Sequence, residues 1–568
     1  MTEIIPASRN PLSFSRGNSV MKLLSKLQAL EEDDVLDTRH FSHREGGHGA
    51  ETEDYSLRRV PASWRWSAWQ ALWSFSGLNT AMVFPLMAGL LATFYGGTAT
   101  LIAFLMTLAY TWLGVFYFAR KAANEGAMEI LMSKQSFGFV GASYQLIVYG
   151  LLASVYFALE GHVMASSLSE LTGWSTAVSA AIVCIAFIPL SVYGMKFLAL
   201  FQGATIWLYL VGILLVLYCI MSNVNPEVAA TNLDAAWWTV NPSGAPLTWV
   251  NILSAFGVIS GVLGAIMLLL CTEQARFSRR AERNKAALLF SGLGMTVCMI
   301  ITPLLGLYLL AASGGKIPDP GVSITKLLGG FGLALIFLTQ LRINVINVYF
   351  GTNALENFSA VALKANWRRV TYILPFLVIC YLLIVSPWLQ YFSAIMTMLS
   401  VFLVNWANVM LGEFWLVRRR MRMPAWSEFR RAYLPAYNRI GLTSMWIPTA
   451  IGVLMASGHF GTETVALAVP VTGLLAFFLP LLMSLCMSDE SVLRQYFARA
   501  PVSTKQLEIM HICPIERTAH HRTDFVLCPY HNDQFISSTA CAAEKECGAR
   551  CQGLEQDKTA ASPGQAWA

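Results

Sequence analysis

Glu160 lies in the apolar run 144–171, YQLIVYGLLASVYFALEGHVMASSLSEL, which is long enough to cross a bilayer and holds no Lys or Arg. A carboxylate at membrane depth costs several kcal/mol unless it faces a cavity or a partner. Glu160 is therefore a functional candidate, weighed against a protonated Glu hydrogen-bonded between helices. Tyr156 precedes it by four residues and so shares its helix face. An aromatic face beside a hydrogen-bonding carboxylate suits a flat, nitrogen-rich ring, which would stack on Tyr156 while Glu160 accepts its N–H groups. His162 is two residues off that face, toward an outer gate.

Three further segments break the rules of an apolar helix. Gln340-Leu341-Arg342-Ile343-Asn344-Val345-Ile346-Asn347 puts a guanidinium inside a spanning run. That charge cannot be removed by deprotonation and needs a carboxylate, carbonyl oxygens or water. Trp73-Ser74-Phe75-Ser76-Gly77-Leu78-Asn79-Thr80, followed by Pro85 and Gly89, weakens its own helix. Unwound backbone is tolerated in a membrane only where it is buried or lines a cavity, although small residues also serve close helix packing. The third segment, 255–264, carries Gly257, Gly261 and Gly264 and permits another broken helix. The Glu273–Arg276 spacing that follows reads as a structural ion pair at a helix end.

These residues must be held by membrane-spanning elements. The chain has 568 residues, 55% hydrophobic and 13% charged, against about 25% charged in soluble domains. About twelve apolar stretches approach the ~20 residues that a spanning helix needs: 67–95, 98–119, 140–168, 174–194, 198–221, 249–272, 285–312, 327–350, 370–387, 390–412, 443–458 and 463–487. Alternate loops collect the basic residues, among them Arg58, Arg59, Arg65, Arg276, Arg279, Arg280, Arg283 and the run 418–422. The opposite loops hold only Lys316 and Lys326. The positive-inside rule then places both termini in the cytoplasm, with the chain multi-pass in a plasma or inner membrane. The net charge of +6 is thus a topology signal rather than a sign of nucleic acid. The polar stretch 1–60 shows no signal-peptide core. The external loop 222–248 carries Trp237 and Trp238, an interfacial anchor or a lid.

Three parts follow: a cytoplasmic tail over 1–60, a transporter domain over 61–487, and a cytoplasmic Cys/His-containing tail over 488–568. A short amphipathic helix is expected over 19–33. Six of the eleven cysteines (Cys184, Cys219, Cys271, Cys298, Cys380 and Cys486) lie in apolar segments as small core residues. Cys513, Cys528, Cys541, Cys547 and Cys551 are expected as reduced thiols in a mostly disordered tail. Cys528 and His531 have a ligand-like spacing, but the other spacings fit no zinc module, so no metal is assigned. The chain offers no cofactor motif, and no nucleophile–base pair that would make it an enzyme.

In the order and spacing of several stretches, residues 54–487 resemble the nucleobase:cation symporter-1 family of cytosine, purine and hydantoin permeases. These stretches are Lys134-Gln135-Ser136-Phe137-Gly138-Phe139-Val140-Gly141, Thr272-Glu273-Gln274-Ala275-Arg276-Phe277 and Gly351-Thr352-Asn353-Ala354-Leu355-Glu356-Asn357-Phe358. The resemblance implies an all-α polytopic protein with a 5+5 inverted-repeat, leucine-transporter-type core and two extra helices. It implies a substrate site at the midplane, where the stacking aromatic falls on Tyr156, the next-turn polar residue on Glu160, the eighth-helix amide on Asn347 and the first-helix break near Gly77, Asn79 and Thr80. Two departures stand out. The family's second stacking aromatic falls on Gly264, and its eighth-helix sodium-binding hydroxyls fall on Leu341 and Arg342.

A fixed charge at Arg342 would repel sodium and replace it, so sodium-independent transport is expected. Glu160 then becomes the natural proton carrier, since burial favours a neutral carboxyl. Two alternatives stand beside this: an ionised Glu160 that pairs with a cationic substrate, and a direct Glu160–Arg342 pair. The leading expectation is a secondary transporter importing a nucleobase or related nitrogen heterocycle. The rival readings are a permease for a non-nucleobase amine, and a transporter-like sensor or scaffold that signals through the C-terminal tail.

Overall fold

Ten long apolar helices and two shorter ones, Thr176–Val192 and Arg369–Val385, supply the twelve expected spans among the described residues. The computed structural model describes Tyr55 and residues 58–192, 195–222, 236–363, 365, 367, 369–386, 392–420, 426–486, 510–532 and 534–544. The 19–33 helix and Cys547 and Cys551 lie outside these residues. In chain order the spans are α1 (68–95), α2 (Gly97–Glu125), α3 (Gly141–Thr172), α4 (Thr176–Val192), α5 (Met195–Met221) and α6 (Trp249–Ala275). They continue as α7 (Arg280–Ala312), α8 (Gly330–Ala362), α9 (Ile373–Val385), α10 (Phe392–Gly412), α11 (Arg439–Ala456) and α12 (Thr462–Cys486).

The helices end where the sequence supplies caps. α2 stops at Gly126 and α3 at Gly173, both left-handed with φ near 72° and 74°. Glycine holds that conformation without the Cβ penalty. The short helix Pro320–Leu328 begins with Asp319 accepting from Gly321 N at 2.8 Å and with Pro320 in its first turn. α3 and α8 lie along one another, α7 packs on the second half of α1, and α10, α11 and α12 pack together.

α1 and α6 carry irregular backbone, as does α7 with π-helical turns at Leu289–Gly294 and Val297–Ile301. α1 is interrupted at Phe75 and again at 80–82, close to the expected position. α6 does not break as expected. Its glycine-rich stretch widens into a π-helical turn at Ser260–Ala265, between Trp249–Ile259 and Ile266–Ala275. Ser400 of α10 stitches this turn in place, accepting from Val262 N at 3.2 Å and donating to Val258 O at 2.8 Å. The segment before α1 is tied to the end of α6, with Trp66 N to Phe277 O at 2.6 Å and the two rings stacked at 5.1 Å.

The expected disorder of the C-terminal tail is overturned for residues 510–544. They form two antiparallel hairpins, β1 (Met510–Ile512) with β2 (Ala519–His521) and β3 (Phe525–Cys528) with β4 (Gln534–Ser537), followed by the short helix Ser538–Ala543. Cys513, Cys528 and Cys541 are buried with Phe525, Val526 and Ile536, and this core continues into Ala432 and Tyr433. His531 pairs with Glu544 at 2.7 Å, and among the described residues no group of three His, Cys, Asp or Glu assembles a metal site. Trp237 is also more than a surface anchor, since its ring meets Tyr308 at 5.2 Å.

Candidate functional site

A small cavity lies between the α1 interruption, α3, the π-turn of α6, and α8. Its wall includes Leu78, Ala81, Val83 and Phe84 of α1, Tyr156 and Glu160 of α3, Val262, Leu263, Ile266 and Met267 of α6, and Ile343 and Asn347 of α8. It holds about 20 Å³, room for one water-sized molecule. A heterocycle enters only if these side chains or helices part.

The interruption of α1 explains why a carboxylate sits here. The helical half that starts at Val83 has unpaired N–H groups at its N-terminus, where oxygen acceptors and negative charge are favoured. Glu160 Oε1 accepts from Val83 N at 2.8 Å, while Oε2 has no hydrogen-bond partner. Glu160 is thus both a cap and an oxygen left over. Tyr156, one turn earlier, donates its hydroxyl to the Val262 carbonyl in the π-turn. A regular helix would keep that carbonyl for its own ladder, so the two irregular elements are joined through α3.

Arg342 is fully buried in the seam between α1, α5 and α8. Its Nη2 donates to Ser76 Oγ at 2.5 Å, Nη1 to Thr80 Oγ1 at 3.5 Å and Nε to Gln202 Oε1 at 3.1 Å, and the guanidinium lies 5.5 Å from the Tyr209 ring centre. Gln202 also accepts from Gly77 N at 2.9 Å and donates to the Arg342 carbonyl at 2.5 Å. Among the described residues no carboxylate forms an ion pair with Arg342, so the direct Glu160–Arg342 pair is corrected. The charge is held by hydroxyls, an amide and a ring instead.

The other expected residues divide. Asn347 lines the cavity and donates Nδ2 to Asn344 Oδ1 at 3.0 Å. Gly77 and Thr80 sit in the Arg342 cluster, one by its amide and one by its hydroxyl. Asn79 turns to Cys298 of α7, and Leu78 and Ala81 take the cavity positions of α1. Gly264 faces Thr107 and Thr111 of α2, while Val262, Leu263 and Met267 carry α6 to the cavity. His162 lies nearer the opposite end, within electrostatic reach of Asp319. Gln202 was missed: an amide in an apolar run was the available signal. Gln340 is buried with its amide beside the Glu160 carboxyl, although neither amide atom makes a close hydrogen bond.

A second buried cluster closes the arginine-rich end. Arg276 pairs with Glu273 at 3.6 Å and donates to Tyr55 O at 2.7 Å and Tyr349 Oη at 3.3 Å, joining α6, α8 and the segment before α1. Beside it, burial and then the neighbouring Glu273 push the Glu129 carboxyl well above the usual range.

No family model and no curated protein matches the sequence. Solved structures do match in fold. An inward-facing structure of Mhp1 gives a TM-score of 0.58 at 16% identity, over 80% of this chain and 99% of that one. Mhp1 in a closed conformation with bromovinylhydantoin bound, described as a nucleobase-cation-symport-1 family transporter, gives 0.53 at 15% identity over 78% and 99%. A substrate-bound, outward-open Na⁺-coupled sialic acid symporter gives 0.56 at 11% identity over 84% and 98%. At such identities the likeness is one of fold. The membrane-spanning part of the chain is polytopic and all-helical, with the leucine-transporter-type architecture that the family resemblance implied.

Proposed function

We propose that this protein is a secondary transporter for a flat nitrogen heterocycle of the nucleobase class, independent of sodium and coupled to a proton carried by Glu160. The observation behind this reading is the meeting of Tyr156, Glu160 and Asn347 around one cavity at the α1 interruption, with Arg342 fixed alongside. Tyr156 offers a ring face, Asn347 a donor and an acceptor, and Glu160 Oε2 an acceptor for a ring N–H or a site for a proton. The three similar structures, in inward-facing, closed and outward-open states, support alternating access. Bromovinylhydantoin in one of them supports a flat nitrogenous ligand in this fold.

Arg342 does the work of a bound cation in this mechanism. Its guanidinium bridges Ser76 and Thr80 of α1 to α8 without an ion to load or release. Protonation of Glu160 removes a buried charge, and substrate binding opens the cavity. Release toward the arginine-rich face then requires the Arg276 cluster to part from Tyr55. That face is the cytoplasmic one, with both termini on it, and the membrane is the plasma or inner membrane.

Gradient-driven uptake by the purified protein in liposomes tests this, using cytosine, purines, hydantoins and small amines as substrates. Saturable uptake of a base, driven by an inward proton gradient and indifferent to sodium, is expected. Uptake that requires sodium would overturn the role of Arg342. Uptake of cationic amines alone would turn Glu160 into a substrate counter-ion.

A further inference from the structure

A much larger cavity lies on the arginine-rich face, away from the transport site. It encloses about 230 Å³, and its wall carries Arg59, Arg65, Arg279, Arg280, Glu125 and His521. These residues come from the segment before α1, the end of α2, the start of α7 with the loop before it, and β2 of the C-terminal hairpins. Four guanidinium groups meet one carboxylate, and Glu125 is already engaged by Lys121 at 2.6 Å and by Ser427 N at 3.2 Å.

A merely solvated basic surface does not account for this arrangement. Arg59 is 3% exposed, and its Nη1 makes no hydrogen bond, standing 3.6 Å from Glu125 Oε2. Its Nε and Nη2 are fixed by Asp524 at 2.8 Å and by Ser427 O at 3.0 Å. His521 is buried too, with Nδ1 lacking a partner. The Arg279 side chain is exposed at the rim of the cavity. A concavity in which four guanidinium groups outnumber the carboxylate on the wall concentrates anions, and the guanidinium fork matches phosphate oxygens two at a time.

We propose that this cavity binds a phosphate-bearing anion, which bridges the segment before α1, the α6–α7 loop and the C-terminal hairpins. The ligand is supplied either by a lipid headgroup or by a soluble phosphate compound. Because the segment before α1 is also held by Arg276 at the inner end of the transport path, the bound anion favours the closed state of this face.

The test uses the full chain in nanodiscs of phosphatidylcholine. One arm titrates pyrophosphate by calorimetry. The other replaces a tenth of the lipid with a phosphoinositide and reads thermal stability and amide exchange at 58–66 and 510–532. Binding in either arm, weakened at least tenfold by Arg279→Gln with Arg280→Gln, is the expected result, and the arm that responds names the source. Arg279→Gln alone serves if the double variant folds poorly, because that side chain is exposed. Silence in both arms, or equal binding by parent and variant, overturns the site. Binding is read without transport, so either outcome leaves the transport reading to its own experiment.

Discussion

Glu160 caps the Val83 amide and, in the proposed mechanism, carries a proton, and substitution can separate the two. Gln keeps an oxygen for the Val83 N–H and cannot carry a proton. Glu160→Gln is therefore expected to fold with a melting temperature close to the parent, to exchange substrate across the membrane, and to lose accumulation against a gradient. Glu160→Ala also strands the Val83 amide and is expected to cost about 1–3 kcal/mol more. Counterflow and gradient-driven uptake, measured beside thermal unfolding, distinguish the two; normal accumulation by the Gln variant would end the proton role. Arg342 poses the complementary question. Arg342→Ser leaves the Ser76 and Thr80 hydroxyls and the Gln202 amide around a vacated space. Sodium is expected to raise substrate affinity in that variant and not in the parent, by several-fold in a binding titration. A sodium response identical in both would show that the guanidinium does not stand in for an ion. Both residues were legible in the sequence because a charge inside an apolar run has high contrast. Gln202 was not, since a neutral amide has little, and its partner Arg342 is 140 positions away.

At the scale of elements, hydropathy alone gave twelve spans and their loops, because the bilayer fixes helix length and helices are the cheap way to satisfy backbone there. The glycines of α6 marked irregular backbone correctly but not its kind. A π-turn and a break look alike in composition, and the choice was made by Ser400, on another helix. The rotation of α6 was hidden for the same reason: Gly264 turns to α2 and Val262 to the cavity because the extra residue of the π-turn shifts the face. Gly261 makes this testable. A Cβ there would collide with Ser400 itself, backbone and side chain. Gly261→Ala is expected to destabilise the protein by about 1–3 kcal/mol and to weaken substrate binding by displacing the Val262 carbonyl from Tyr156. Calorimetric unfolding and a ligand titration check both parts, and a variant with unchanged stability and affinity would mean that the π-turn is not pinned by α10.

At the scale of the whole molecule, the segment before α1 meets the C-terminal hairpins, which no hydropathy profile reports. The hairpins of residues 510–544 are short, and their core is completed by Ala432 and Tyr433, so the segment looked too polar to fold alone. It is fastened by Arg59 to Asp524 at 2.8 Å, by Arg58 to Ala519 O at 2.6 Å and by His521 Nε2 to Val60 O at 3.3 Å. Breaking a buried pair costs about 3–5 kcal/mol, so Asp524→Asn is expected to loosen this docking. Acid should loosen it as well. Burial lowers His521 from 6.5 to about 4, so the docked state stays neutral over a range where the released state takes up a proton. The depressed value means that docking is at full strength above the released value of 6.5 and weakens as pH falls toward 4, by up to about 3 kcal/mol, with no further loss from this group below that. Amide exchange of residues 510–532 at pH 7.5 and pH 5, corrected for intrinsic rates, should show markedly less protection in acid, and His521→Gln should remove most of the difference. Equal protection at both pH values would mean that His521 does not govern how the C-terminal hairpins are held against the membrane-spanning domain.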